Sequence, residues 1–170
     1  MKRIFRSTAL AALLLAALPA AQAAIQSYDF SGTLDSGFYN GQSFAGSFSF
    51  DDAALLGSDS EWLSVNHLSM SFLGATFTLA NAAAPTEVAY FNGTFLGLSY
   101  TVESGDPKFS LIAGYDNVSQ SFLAYDTVHG TSGAGSISYT AAVPEPESYA
   151  MFLAGLGLMG LTVRRRSLRR

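Results

Sequence analysis

The sequence predicts an all-β protein, a single antiparallel β-sandwich or jelly-roll-like domain between two terminal segments of different character. Three observations carry that expectation. Residues 25–143 alternate apolar with polar positions and show hardly any helical stripe. The alternating runs are short, rich in aromatic or β-branched residues, and separated by Gly, Asn, Asp or Ser clusters. Most are joined without a helical spacer, and about eight strands in roughly 120 residues favour a sheet packed on a sheet.

In chain order the expected strands are DFSGTL (29–34), SFAGSFSF (43–50), HLSMSFLG (67–74), TFTLA (76–80), VAYF and TFLGLSYTV (88–102), KFSLIAGY (108–115), SFLAYDTV (121–128) and SISYTAAV (136–143). In the second of these Phe44, Phe48 and Phe50 share one face, as a half-buried antiparallel strand requires. Asp51 to Trp62 reads either as a helix of one or two turns or as a loop, because it opens on acids and soon reaches Gly57. Asn92-Gly93 suits a type I′ turn and predicts a hairpin over 88–102. Gly105-Asp106-Pro107 and residues 117–120 are further turn candidates. The rings of Phe30, Phe48, Phe50, Phe72, Phe77, Phe91, Phe95 and Phe122 are expected to fill the core.

Charge is strongly segregated. Lys2, Arg3 and Arg6 stand at the front and five arginines at the back, while residues 24–143 hold eleven acids against the single base Lys108, a net charge of −10. That surface repels nucleic acid, whose phosphates need clustered Lys and Arg. Cysteine is absent. Disulfides, thiol nucleophiles and cysteine-ligated metals are therefore excluded, and an exported fold must be held by its own core.

The first residues, MKRIFRSTALAALLLAALPAAQAA, combine a basic start, an apolar run from Ala9 to Leu18 and small residues at Ala21 and Ala23. This is the pattern of a secretory signal peptide read by the Sec machinery and signal peptidase. It spans residues 1–23, with cleavage after Ala23, although Ala24 also satisfies the small-residue rule. At the other end Pro144-Glu145-Pro146 precedes an apolar run from Tyr149 to Val163 and then Arg164, Arg165, Arg166, Arg169 and Arg170. As a helix the fifteen-residue run reaches roughly 22 Å, short of a ~30 Å hydrocarbon core, and spans if the arginines snorkel and the bilayer thins. The arginines remain cytoplasmic and stop transfer, which exports residues 24–142.

Val143-Pro144-Glu145-Pro146, the apolar helix and the terminal RRRSLRR together resemble the PEP-CTERM sorting signal of exported Gram-negative bacterial proteins, over residues 143–170. The resemblance implies recognition of Pro144, Glu145 and Pro146 by an exosortase, transient anchoring in the inner membrane, and release to the cell surface or an exopolysaccharide matrix. Independently of the family, prolines on both sides of Glu145 keep the segment extended and remove two backbone donors, which suits presentation to a protease. In that family Ser or Ala often follows the tripeptide, whereas here Glu147 comes first and Ser148 second.

Chemistry in the middle is sparse. His67 and His129 are isolated, HGTSGAG at 129–135 lacks the G-x-S-x-G elbow, and two histidines make no zinc site. Asp51/Asp52, Asp59/Glu61 and Asp116/Asn117 are oxygen-rich, yet none follows a spaced calcium loop, and they read as solvated turns. No catalytic residue, metal or cofactor is expected. Trp62, Tyr39 and Tyr115, flanked by polar residues, are the candidates for stacking on sugar rings. The expectation is a non-enzymatic surface or matrix protein associated with exopolysaccharide or biofilm, with a polysaccharide-binding module or polysaccharide-active enzyme as the alternative.

Overall fold

A computed structural model describes residues 25–142, and Gly155 alone beyond them. The signal segment with Ala21 and Ala23, the tripeptide Pro144 to Pro146, the apolar run apart from Gly155, and the stop-transfer arginines Arg164, Arg165 and Arg166 all lie outside the described residues. Among the described residues no helix is long and apolar enough to cross a membrane.

Nine strands form: β1 (Ile25–Leu34), β2 (Ser43–Asp51), β3 (Ser60–Phe72), β4 (Ala75–Thr78), β5 (Glu87–Phe91), β6 (Thr94–Val102), β7 (Lys108–Ile112), β8 (Phe122–Asp126) and β9 (Ser132–Ala141). Asn92 and Gly93 both take positive φ, 48° and 74°, and make the expected hairpin turn. Of Asp51 to Trp62, residues 52–59 are a loop and the rest already belongs to strands. Its shape is set by Glu61, whose carboxylate accepts the N–H groups of Leu56 (2.6 Å), Gly57 (2.8 Å) and Ser58 (3.2 Å).

The all-β class holds, but the sandwich does not. Consecutive strands pair antiparallel from β5 through β9, β1 pairs with both β2 and β9, and the β2–β3 and β3–β5 pairings complete a ring. The result is an eight-stranded antiparallel barrel, with β4 paired to the last four residues of β3, Ser69 to Phe72, as a ninth strand. Closure satisfies the backbone edges that an open sheet would leave bare. Two bulges bend the walls: Asn66 is extra between the β3 pairs Val65–Phe50 and His67–Ser49, and Leu96 is extra in β6 between Phe95–Tyr90 and Gly97–Ala89.

The interior is a column of rings. Tyr28 stacks on Phe48 and Phe95 with centroids 5.6 and 4.7 Å away, Tyr139 meets Phe95 edge-on at 5.2 Å, and Phe109 sits 5.2 Å from Phe72. An eight-stranded barrel is just wide enough for side chains to fill. Burial pushes the Tyr100 and Tyr139 phenols up to about 12, the latter against the pull of the Leu98 N–H and the Ser121 hydroxyl. Burial likewise raises the Tyr90 phenol, with Tyr28 adding to the effect. These hydroxyls stay neutral and serve as structural hydrogen-bonding groups: Tyr100 donates to the Thr78 carbonyl at 2.8 Å, and Tyr139 accepts from Leu98 N–H at 3.1 Å.

Not every expected core ring is inside. Phe30, Phe48, Phe50 and Phe72 are buried and Phe77 and Phe95 pack partly buried against them, but Phe91 and Phe122 face outward. The reason is parity. Val88 and Tyr90 take the inner positions of β5, and Leu123 and Tyr125 those of β8, so the intervening residues must point out.

The pairing of β1 with β9 brings the two ends of the barrel chain side by side. Tyr28 lies opposite Ala141, and the Ala142 N–H donates to the Ser27 carbonyl at 2.8 Å, so the chain enters and leaves the barrel at the same end.

Candidate functional site

The outer wall across β3, β5, β6 and β7 carries a groove of about 550 Å³. Ala89, a small residue opposite Trp62 on β3 and Gly97 on β6, lies in its floor. Gly97 is required by its backbone, since φ there is +124° and an added Cβ would come within 3.3 Å of the Tyr139 hydroxyl. Trp62 and Phe91 rise on one side of this depression, and Ile112 and Tyr115 on the other.

Ser60, Ser99, Thr101 and Ser110 add hydroxyls to the lining, and the Thr101 and Ser110 oxygens lie 3.0 Å apart. Asp116 is the single charged residue in the wall. The loop that bears Tyr115 is built firmly. The Gln120 carboxamide oxygen accepts the N–H groups of Tyr115 (3.1 Å) and Asp116 (2.8 Å), and Gly114 N–H donates to the Leu96 carbonyl at 2.8 Å. The Asn117 side chain caps the 3-10 turn Val118–Gln120 by accepting from Ser119 N–H. Tyr115 is therefore 86% exposed on a fixed backbone, and Trp62 is 54% exposed on a strand. Rigid aromatic faces beside hydroxyls can stack on an apolar ring face while exchanging hydrogen bonds around its rim.

Of the three aromatic candidates the structure thus brings two together. Tyr39 is elsewhere, in the loop between β1 and β2 at the other end of the barrel, half-buried with its ring 5.3 Å from Tyr125. Its N–H donates to the Tyr125 hydroxyl at 2.8 Å, a structural contact. Phe91 was expected in the core and instead belongs to the groove; the parity of EVAYF was the signal that could have placed it there.

Several carboxylates of the oxygen-rich clusters accept hydrogen bonds from neighbouring groups of the protein. Asp51 accepts from Ala53 N–H at 2.9 Å, Asp52 from the Gln26 carboxamide at 2.7 Å, and Glu61 holds its loop as above. Among the described residues no group of three or more His, Asp or Glu gathers to hold a metal. His67 is exposed on β3 opposite Ser49, and His129 is exposed in the β8–β9 loop.

Comparison with known families finds the PEP-CTERM protein-sorting motif at residues 142–166. No curated protein and no solved structure matches the chain. The motif marks an exported protein, processed by an exosortase and transiently anchored in a membrane, and it begins one residue after β9 ends.

Proposed function

We propose that this exosortase-sorted chain delivers its β-barrel to the cell surface or extracellular matrix, where it acts as a non-enzymatic structural component associated with exopolysaccharide. The observation that carries this reading is the adjacency of the motif to the last barrel strand: the barrel is cargo and the tail is its label. Signal peptidase and the Sec machinery act on the N-terminal segment, and exosortase recognises Pro144, Glu145 and Pro146. The intact mass of the mature protein, compared between cells with and without a working exosortase, tests this. A chain ending between residues 144 and 148 only when the enzyme is present is the expected result. The full tail in both strains would make it a permanent anchor and overturn the label reading.

A polysaccharide-binding module is the second reading, favoured by the meeting of Trp62 and Tyr115 in one groove with a hydroxyl lining. The near absence of charge there, under a domain of net charge −10, suits an uncharged glycan over a polyanion. On this reading Trp62→Ala weakens retention in gels containing a neutral polysaccharide about tenfold while leaving the fold intact. Equal retention of both forms argues for the purely structural role, and turnover of a glycan would make the protein an enzyme.

A further inference from the structure

The exposed apolar side chains are distributed very unevenly over the barrel. Ile25 opens β1, Leu56 lies in the β2–β3 loop, Trp62 and Phe91 flank the β5 end of the groove, and Tyr115 tops the β7–β8 loop. Ile112 and Phe122, which are cross-strand partners, lead into that same loop. All seven thus lie in, or within three residues of, the loops and the start of β1 on the side from which Ala142 departs, whereas among the described residues only Phe38 and Val128 are large, apolar and exposed at the far end.

The tail makes that side the one nearest the lipid. Six residues, 143–148, separate the barrel from the apolar run that begins at Tyr149. At ~3.3–3.6 Å per residue they reach roughly 20 Å at full extension, and less if they bend. While the tail is inserted, the barrel end bearing Ala142 cannot move far from the headgroups. Trp and Tyr are the side chains that favour this interface, because each joins an apolar ring to a polar tip.

We propose that this end of the barrel is a membrane-seating surface, which rests Leu56, Trp62, Phe91 and Tyr115 in the bilayer interface while the tail is anchored and so holds residues 143–148 at a defined height. The inference rests on membrane insertion of the tail. Asp51, Asp52, Asp59, Glu61 and Asp116 stand at the same end with no base among them. The fitting lipid is consequently zwitterionic, and anionic headgroups repel this end at low ionic strength.

Trp62 is the sole tryptophan of the chain, so its fluorescence reports on this surface directly. The chain with its tail intact is reconstituted into phosphatidylcholine vesicles, and flotation establishes tail insertion separately. In floated vesicles Trp62 should emit at shorter wavelength, be quenched by headgroup-linked nitroxide lipid, and be about threefold less accessible to acrylamide than in an L56E/Y115E double variant. Both substituted side chains are exposed, so the variant should keep the urea midpoint of the parent. If Trp62 in the floated parent is quenched by acrylamide as freely as in the variant and ignores the nitroxide, the seating is wrong. Protection that grows with protein density without nitroxide quenching would show self-association and also overturn it. A chain that does not float would remove the tail reading on which the proposal rests.

Discussion

Phe48→Ala is expected to cost about 4 kcal/mol, the largest effect of any single truncation in this barrel. Phe48 is 1% exposed and lies within 6.2 Å, centroid to centroid, of Tyr28, Phe30, Phe50 and Tyr139, rings from three strands. Those neighbours are held on closed walls and cannot collapse into the space left behind. The loss includes both the transfer free energy of the ring and the residual cavity. Since a domain of this size is stable by only about 5–15 kcal/mol and this chain has no disulfide to fall back on, the variant should be poorly retained after export. Urea unfolding measures the difference. Phe48→Leu, which keeps much of the volume, should lose about 1.5 kcal/mol, and Phe122→Ala, which truncates an outward ring, less than about 1 kcal/mol. Equal losses for Phe48→Ala and Phe122→Ala would contradict the assignment of inner and outer faces.

Gly46→Ala is the second large effect, an expected loss of about 3 kcal/mol for the addition of one methyl group. In the β1–β2 pairing Phe30 lies opposite Gly46 and Gly32 opposite Phe44, so each ring lies over a glycine on the neighbouring strand. A Cβ on Gly46 would stand 2.6 Å from the Phe30 ring and 2.4 Å from the Ser69 carbonyl oxygen. The ring can turn away but the carbonyl belongs to the wall. Combining Gly46→Ala with Phe30→Leu should therefore restore only part of the loss, and a double-mutant cycle by urea unfolding separates the two contributions. Full recovery would place all the strain on the ring; no recovery would place it on the backbone of β3.

These two positions also show how far local pattern reaches. The inward set Phe44, Phe48 and Phe50 was legible because a strand turns alternate residues to opposite faces, and the Asn92-Gly93 turn because few other pairs accept two positive φ values. Phe91 and Phe122 sit on alternating strands, but alternation alone does not say which of the two phases faces inward. Alternation forbids Tyr90 and Phe91 from both facing inward, and the inner position went to the residue in phase with Val88. The loop at 52–59 was open between helix and coil because its shape depends on Glu61 reaching back to three amides, a contact no periodicity contains.

The candidate groove was half legible. Trp62 and Tyr115 could be singled out as aromatics among polar neighbours, but nothing in their spacing of 53 positions says that they face one depression while Tyr39 packs against Tyr125 at the other end. That relation follows from the shared pairing of β5 and β6 and from the Gly114 tether to Leu96.

Residue order by itself determined the sorting motif, the strand content and the acidic, cysteine-free composition. Each depends on local composition, charge or a period of two, and needs no distant partner. Only the tertiary structure decided that the strands close into a barrel, that Phe91 leaves the core for the groove, and that the exposed apolar residues gather where the tail departs. Closure depends on β1 finding β9 across the whole domain and on bulges at Asn66 and Leu96 that bend the walls. Alternation along a strand says which face is apolar but carries no information about which strand lies beside it.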